Sequence, residues 1–529
     1  MALNARVRTD ASAVTRDRTV DSNWLILLGL ILLTWAPLVY PGYFQVHQGF
    51  LPLYHLNDLA AHPAWGWLPV LGQPADLWRG EGPLPYLLGW VLRPLGAPVV
   101  VKGLLALALM AGPLALYGAL RRWFGPRPAL VAAVLYAYLP FTLTTVYVRG
   151  AIAETILWAL VPLVLWWSDL ALDRHRSWLW GLAAAVVASA MVWVQAGLAV
   201  MALLVVALAL WLARPADDPV PGSRRRWAPL VPLLGALAGL GLRLTWNGSQ
   251  AAGVIDYMAH RVELFQLFAV GPGTGTSVPG WQDTLSFQVG VVATGIALLA
   301  LIPLPHGSLR RPVMFWASVV LLAVLVALAP VPLGAVMTYP WQLLGLAGLG
   351  LCILAAAGLA RYPALTEWPV LSALAVTAIL AGYAYLVPRY TAVQPRLAPV
   401  ATFGGFERGV VLVDETTVGA LVPGSTISTT LTWQALHVPD FDYNLFAHLV
   451  DDTGRRWGQT DQQPLPDRPM TDWAVGEIVT GTVGLAVDPA VPPGTPLHLV
   501  LGLYNWQDGQ RLLAGEADQV TVLEGTAGR

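Results

Sequence analysis

The chain is poor in charge and almost free of cysteine, and both shortages exclude whole classes of protein. Only 12% of its 529 residues are Asp, Glu, Lys or Arg, about half the share of a soluble globular domain, roughly 25%. Hydrophobic residues make up 56% and the mean hydropathy is +0.60, so the chain is an integral membrane protein. The formal net charge of -1 points to no partner, because a membrane protein sorts its charges by side. No basic stripe lies outside the short loops, which excludes nucleic-acid binding. The single cysteine, Cys352, sits in an apolar run. It can build neither a disulfide framework nor a cysteine zinc site, and reads as a buried, inert thiol.

Other signals are also missing. The run from Trp24 to Tyr40 has the length of a signal peptide, but Pro41-Gly42-Tyr43-Phe44 lacks a small-x-small cleavage pattern, so the segment reads as a retained first span. Gly271-Pro272-Gly273-Thr274-Gly275-Thr276 has no Gly-Lys-Ser/Thr ending and no preceding strand, and is turn chemistry, not a phosphate loop. The histidines of the first loop lack the helical pairing of a zinc site. There is no internal repeat and no low-complexity tract.

What is present is a series of apolar runs near spanning length, at 24–40, 98–118, 128–147, 151–170, 177–194, 196–213, 228–244, 288–304, 312–329, 341–360 and 368–387. They predict about eleven membrane helices. A shorter run at 84–96, broken by Arg93-Pro94, reads as interfacial or re-entrant. With residues 1–23 as a cytoplasmic basic tail, the loops that hold Arg121, Arg122 and Arg127, then Arg174 and Arg176, Arg224-Arg225-Arg226, Arg310-Arg311 and Arg361 all fall inside. The loops 41–97 and 245–287 of the membrane domain (24–387) then lie outside, as do a linker at 388–398 and a C-terminal domain at 399–529. Within 245–287, the apolar residues from Gln250 to Phe268 recur at helical spacing and predict an amphipathic interfacial helix, with Asp256, His260 and Glu263 on its polar face. Strand patterns at 410–418, 426–433, 445–450, 478–487, 497–504 and 520–523, separated by turn residues, predict an external β-sandwich of about seven strands.

Polar and titratable groups crowd into the first outer loop. Asp58, Asp76 and Glu81 are its carboxylates, with His47, His55 and His62 nearby. General-base chemistry needs such a group within hydrogen-bond reach of an acceptor hydroxyl, while interfacial solvation alone also accounts for each of them. Arg149 and Glu154 face each other across the turn between the third and fourth spans. They read either as an ion pair that fixes the turn or as a hold on an anionic lipid phosphate. Many of the 24 tryptophans lie near span ends, as an aromatic belt requires.

Three segments carry a resemblance. Gly82-Pro83-Leu84-Pro85-Tyr86-Leu87-Leu88-Gly89, Arg149-Gly150-Ala151-Ile152-Ala153-Glu154 and Tyr339-Pro340-Trp341-Gln342-Leu343-Leu344 resemble, in this order, the bacterial membrane proteins labelled "6-pyruvoyl-tetrahydropterin synthase-related", over about 24–360. The architecture resembles the polytopic GT-C glycosyltransferases, which use polyprenyl-phosphate sugars. That resemblance implies transfer of a sugar from a lipid phosphate to an acceptor on the outer face of a bacterial cytoplasmic membrane. It implies no nucleotide, and some such enzymes use a divalent cation. An acidic residue of the first outer loop is the implied base. Where the family shows His-Asp-Gly this chain has His47-Gln48-Gly49, and a Leu51–His55 run replaces Phe-His-Leu-Tyr-Arg. Gln48 cannot take a proton, so Asp58 is the substitute base, with His55 beside it. Arg149, Glu154, Arg79 and Arg243 are the candidate phosphate-binding residues. The alternative is a non-catalytic scaffold or lipid-binding protein of the same fold. A transporter ranks behind both, because the spans hold almost no charge away from their ends.

Overall fold

The computed structural model describes residues 22–40, 43–44, 52–53, 56, 78, 80–172, 177–213, 227–244, 256–271, 273, 277, 279–281, 285–302, 305–388, 390–391, 400–404, 409–435, 438–473, 477–514 and 517–528. Its membrane part contains α1 (Ser22–Leu32, prolonged by further turns to Val39), the short α2 (Leu84–Val91), α3 (Ala97–Phe124), α4 (Pro126–Ala137), α5 (Pro140–Tyr147), α6 (Ile152–Leu170), α7 (Ser177–Val194), α8 (Ala196–Leu212), α9 (Leu230–Leu244), α10 (Val291–Leu301), α11 (Arg310–Leu328), α12 (Leu344–Arg361) and α13 (Trp368–Tyr383). Among the described residues, eight helical segments are long and apolar enough to cross a bilayer, and the shorter apolar helices α8, α9 and α10 lie among them. Together they fall on the eleven apolar runs of the sequence. α4 and α5 make one span with a break at Leu139, because Pro140 has no backbone N–H to continue the ladder.

The chain is sorted by depth of burial. α12 and the α4–α5 span are buried along nearly their whole length, whereas most residues of α7, α11 and α13 are exposed or half-buried. The sequence of α12, Leu-Gly-Leu-Ala-Gly-Leu-Gly-Leu-Cys, alternates small and large residues. Small residues let neighbouring helices approach closely where lipid supplies no hydrophobic drive for association. At one end of the bundle the buried Asp169 of α6 accepts from Arg122 Nε at 2.6 Å and Trp123 Nε1 at 3.2 Å, which locks α6 to the end of α3.

The other end carries the β domain. Strands β3 (Ala401–Phe403), β4 (Val410–Val418), β5 (Thr426–Ala435) and β8 (Ile478–Ala486) form one antiparallel sheet, in that order. The second, in the order β10 (Val520–Thr526), β9 (Pro496–Tyr504), β6 (Asn444–Val450), β7 (Arg456–Gln462), faces it across Trp433, Leu431, Leu445, Leu499 and Leu501. The opposite face of β4 puts Val411 and Val413 into an apolar cluster with Leu56, Tyr86, Val101, Tyr147 and Tyr385. The sandwich therefore rests directly on the end of the bundle. A two-residue strand, β1 (Tyr43–Phe44), pairs antiparallel with β2 (Tyr390–Thr391), which joins the first loop to the start of the linker.

Two readings of the sequence need correction. The amphipathic helix expected over 250–268 is not formed in its described part, 256–268, which holds a turn and the 3-10 helix Leu264–Leu267. His260, assigned to the polar face, is buried, while Met258 and Phe265 are exposed. The reason is local. Glu263 and Gln266 cap the short helix reciprocally, and the Val262 N–H donates to the Ala327 carbonyl of α11. The second correction is that β3 and β7 escaped the pattern: β3 is only three residues long, and polar β7 buries only Trp457 fully.

The sidedness inferred from the arginine loops gives a direct test. Cysteines at His306 and Thr416 are separated by three spans and should label from opposite faces of the membrane, with the buried Cys352 silent. Labelling of both from one face would end the odd-span topology.

Candidate active site

The site lies at the β-domain end of the bundle and is built by three segments that meet there. The first runs from Trp78 into α2. It is pinned to the α7–α8 junction, where the Gly82 N–H donates to Val194 O at 2.6 Å and the Gly197 N–H donates to Trp78 O at 3.0 Å. A Cβ at residue 82 would collide with the Trp193 carbonyl, so only glycine allows this approach. The second is the turn from α5 into α6. Gly150, at φ +64°, reverses the chain there and brings Arg149 beside the first turn of α6. The third is the 3-10 turn Pro340–Leu343, which opens α12.

These segments place Glu81 where it accepts the Tyr86 hydroxyl and the Ala153 N–H of the α6 N-terminus. The next residue, Glu154, takes Arg149 Nη1 at 2.6 Å, Nη2 at 2.7 Å and Gln342 Nε2 at 2.5 Å. Gln342 is itself aimed by the Thr338 and Tyr339 N–H groups, each 3.0 Å from its Oε1. Arg149 and Glu154 are 3% and 4% exposed. The guanidinium lies over the Trp341 ring, 4.5 Å from its centroid, and Trp341 stacks on Tyr339 at 4.7 Å. Beyond them Trp341 Nε1 donates to Ser277 Oγ at 3.2 Å, and Ser277 Oγ lies 3.0 Å from His260 Nδ1. Indole only donates, so the serine oxygen accepts from Trp341, and the imidazole tautomer sets which of Ser277 and His260 donates in the second bond.

Glu81 is the carboxyl among these groups whose pKa is clearly raised. Burial pushes its carboxyl up to about 7, and the nearby Glu154 charge adds to this, against the Tyr86 bond, Arg149 and the Ala153 N–H. Tyr86 is pushed well above the ordinary phenol range by burial and by the Glu81 charge. Burial lowers His260, opposed by Asp256. A carboxyl group that is half ionised near neutrality can both take and return a proton, which is the usual property of a general base.

Of the residues expected from the sequence, Arg149 and Glu154 are brought together as a bidentate pair. Arg243, in the last turn of α9, is 3% exposed, and its Nε and Nη1 have no partner among the described residues. Gly235 packs on Ala185 and Gly239 on Ser189, a parallel register that sets Arg243 one turn further along, level with Trp193 and hence with Gly82. Gln48, His55, Asp58 and Arg79 lie outside the described residues. Glu81 was visible as a loop carboxylate, but nothing in its spacing set it apart from Asp58 or Asp76. Tyr86, Trp341 and Gln342 stood inside the quoted motifs without a role, and the Ser277–His260 contact had no sequence signal. Among the described residues, no group of three or more His, Cys, Asp or Glu is placed to hold a metal ion.

The family described as "Dolichyl-phosphate-mannose-protein mannosyltransferase" matches residues 98–222, a stretch that includes Arg149 and Glu154. No curated protein sequence matches the chain. Among solved structures, ArnT from Cupriavidus metallidurans bound to undecaprenyl phosphate is similar at 14% identity and a TM-score of 0.42, covering 69% of this chain and 76% of ArnT. The apo state of the same protein gives 14% and 0.44, over 68% and 75%. The Archaeoglobus fulgidus oligosaccharyltransferase tethered to an acceptor peptide gives 13% and 0.39, over 70% and 56%. Likeness at this level assigns no residue a role.

Proposed function

We propose that the chain is a GT-C-type membrane glycosyltransferase that moves a sugar from a polyprenyl phosphate to an acceptor hydroxyl at the outer face, with Glu81 as its general base. The observation that carries this is the Glu81 carboxyl, poised near 7 beside the Arg149–Glu154 pair. The family matched over 98–222 supports the donor class, since its description names a lipid-phosphate mannose. The short motifs shared with the 6-pyruvoyl-tetrahydropterin synthase-related membrane proteins lie on the three segments that build the site. In this reading the acceptor oxygen attacks the anomeric carbon, the bond from that carbon to the phosphate oxygen breaks, and the acceptor proton passes to Glu81. Arg243 and Arg79 steady the lipid phosphate as it leaves. Arg149 is the weaker candidate for that task, because both its Nη atoms are held by Glu154. Asp58 stays a second candidate base.

The same engagement favours a second reading. Arg149, Glu154 and Gln342 complete one another's bonds as a purely structural cluster would, and Gln48 replaces the family acid. A lipid-binding scaffold of the same architecture fits both facts. Reconstitution separates the two. The enzyme should convert a labelled polyprenyl-phosphate hexose to free polyprenyl phosphate, with the sugar on an acceptor or on water. A scaffold should retain the labelled lipid unchanged, and that result would end the transferase reading.

A further inference from the structure

At the end of the sandwich where β9 leaves its sheet, the chain makes the turn Tyr504-Asn505-Trp506-Gln507-Asp508-Gly509-Gln510-Arg511. It is unusually well tied for an exposed turn. The Asn505 N–H donates to Gln510 O and the Gly509 N–H to Asn505 O, both at 2.8 Å. The Gln507 N–H reaches Asn505 Oδ1 at 2.9 Å, and the Gln510 N–H reaches Asp508 Oδ1 at 2.8 Å. All this order presents one large apolar group to solvent, the Trp506 indole, which is 54% exposed. The indole is braced from one side by Phe441, with ring centroids 5.9 Å apart. Phe441 in turn meets Tyr443 at 5.3 Å and 69°, and the Tyr443 hydroxyl donates to Asp440 Oδ1 at 2.9 Å.

We infer that this turn is a binding surface for a neutral saccharide. The π face of an indole is electron-rich and attracts polarised C–H groups, and one face of a pyranose ring is a patch of such C–H groups edged by hydroxyls. Those hydroxyls need donors and acceptors near the aromatic platform, and the exposed Gln507 and Asp508 follow Trp506 in the same turn, while the exposed Asp440 precedes the Phe441 that braces it. A platform carried on a tied turn and braced by Phe441 loses less freedom on binding than a loose one. An anionic membrane surface would call for cations around the tryptophan. The turn offers only Arg511, which is held by Asp518 at 2.8 Å and covers the Phe446 ring at 4.3 Å. The surface lies in the β domain and does not depend on the transferase reading.

The test uses the full chain in lipid nanodiscs, with calorimetric titration of neutral hexasaccharides of mannose, glucose and N-acetylglucosamine. At least one series should bind. Trp506→Ala should weaken that binding about tenfold or more, a loss of ~1.4 kcal/mol. Trp506→Phe should keep most of it, which separates loss of the platform from loss of the turn, and Gln507→Ala should weaken it to a smaller degree. Absence of binding to all three series at millimolar concentration would overturn the inference, as would binding that Trp506→Ala leaves unchanged. Capture of another protein through Trp506, with no saccharide bound, would overturn it as well.

Discussion

Glu81→Gln should lower sugar transfer by about 10²–10⁴-fold, the usual contribution of a positioned base, and leave the folding yield near wild type. The amide matches the carboxyl in size, and its single oxygen can still accept the Tyr86 hydroxyl. It cannot take the acceptor proton. The pH profile gives the sharper readout. Below about 7 the wild-type carboxyl keeps its proton and is useless as a base, and above about 7 it is a carboxylate. The wild-type rate should therefore rise through that range and level off, while the residual rate of the glutamine variant should lack that step. A midpoint near 4.5, the ordinary value of a solvated glutamate, would show that a different and more exposed carboxylate is the base. Asp58→Asn is the parallel test. If it abolishes the same step and Glu81→Gln does not, the role passes to Asp58.

Glu154→Ala should cost about 3–5 kcal/mol of stability, because breaking a buried pair from one side leaves the other charge uncompensated. Here the stranded group would be Arg149, whose two Nη atoms bond to Glu154 and whose Nε lacks a partner among the described residues. Gln342 would lose its acceptor at the same time, which loosens the turn that starts α12. The double variant with Arg149→Ala should recover part of the loss, since it removes the stranded charge along with its partner. Thermal unfolding in detergent and the yield of monodisperse protein would report it. Single variants as stable as wild type would show that the pair is not structural. Arg149 would then return as a candidate for the lipid phosphate.

The membrane helices were legible because one property, sustained apolar length, defines them, and each of the eleven runs holds a helix. The β domain was legible for a similar reason: alternation in β5 and β9 survives because one side of each strand faces the Trp433 core. β7 was not legible, since an edge strand that buries a single tryptophan carries almost no alternation. The pairing of Arg149 with Glu154 could be read because the two are neighbours across one turn. Glu81 could not be singled out in that way. Its raised pKa comes from burial, and the segments around it, including the α7–α8 junction that grips Gly82 and the α6 N-terminus, are distant in sequence. His260 failed for the opposite reason. Helical periodicity assigned it to a wet face, but the segment is not a helix and the ring is packed on Tyr339, 5.0 Å away.

The small clasp between β1 and β2 bears on how the protein is made. Tyr43 pairs with Thr391 and Phe44 with Tyr390, so a segment that leaves the ribosome just after the first span must wait for one that leaves after the last. Contacts between such distant parts of a chain form late, because a large loop has to close first. Throughout synthesis of the intervening helices, the first loop has no partner strand, and the Val411 and Val413 side chains that close over its neighbour Tyr86 do not yet exist. The half of the site that begins the chain is thus assembled by the part that ends it. A ribosome halted anywhere before the linker would leave in the membrane a bundle with every span up to that point and an unfinished mouth.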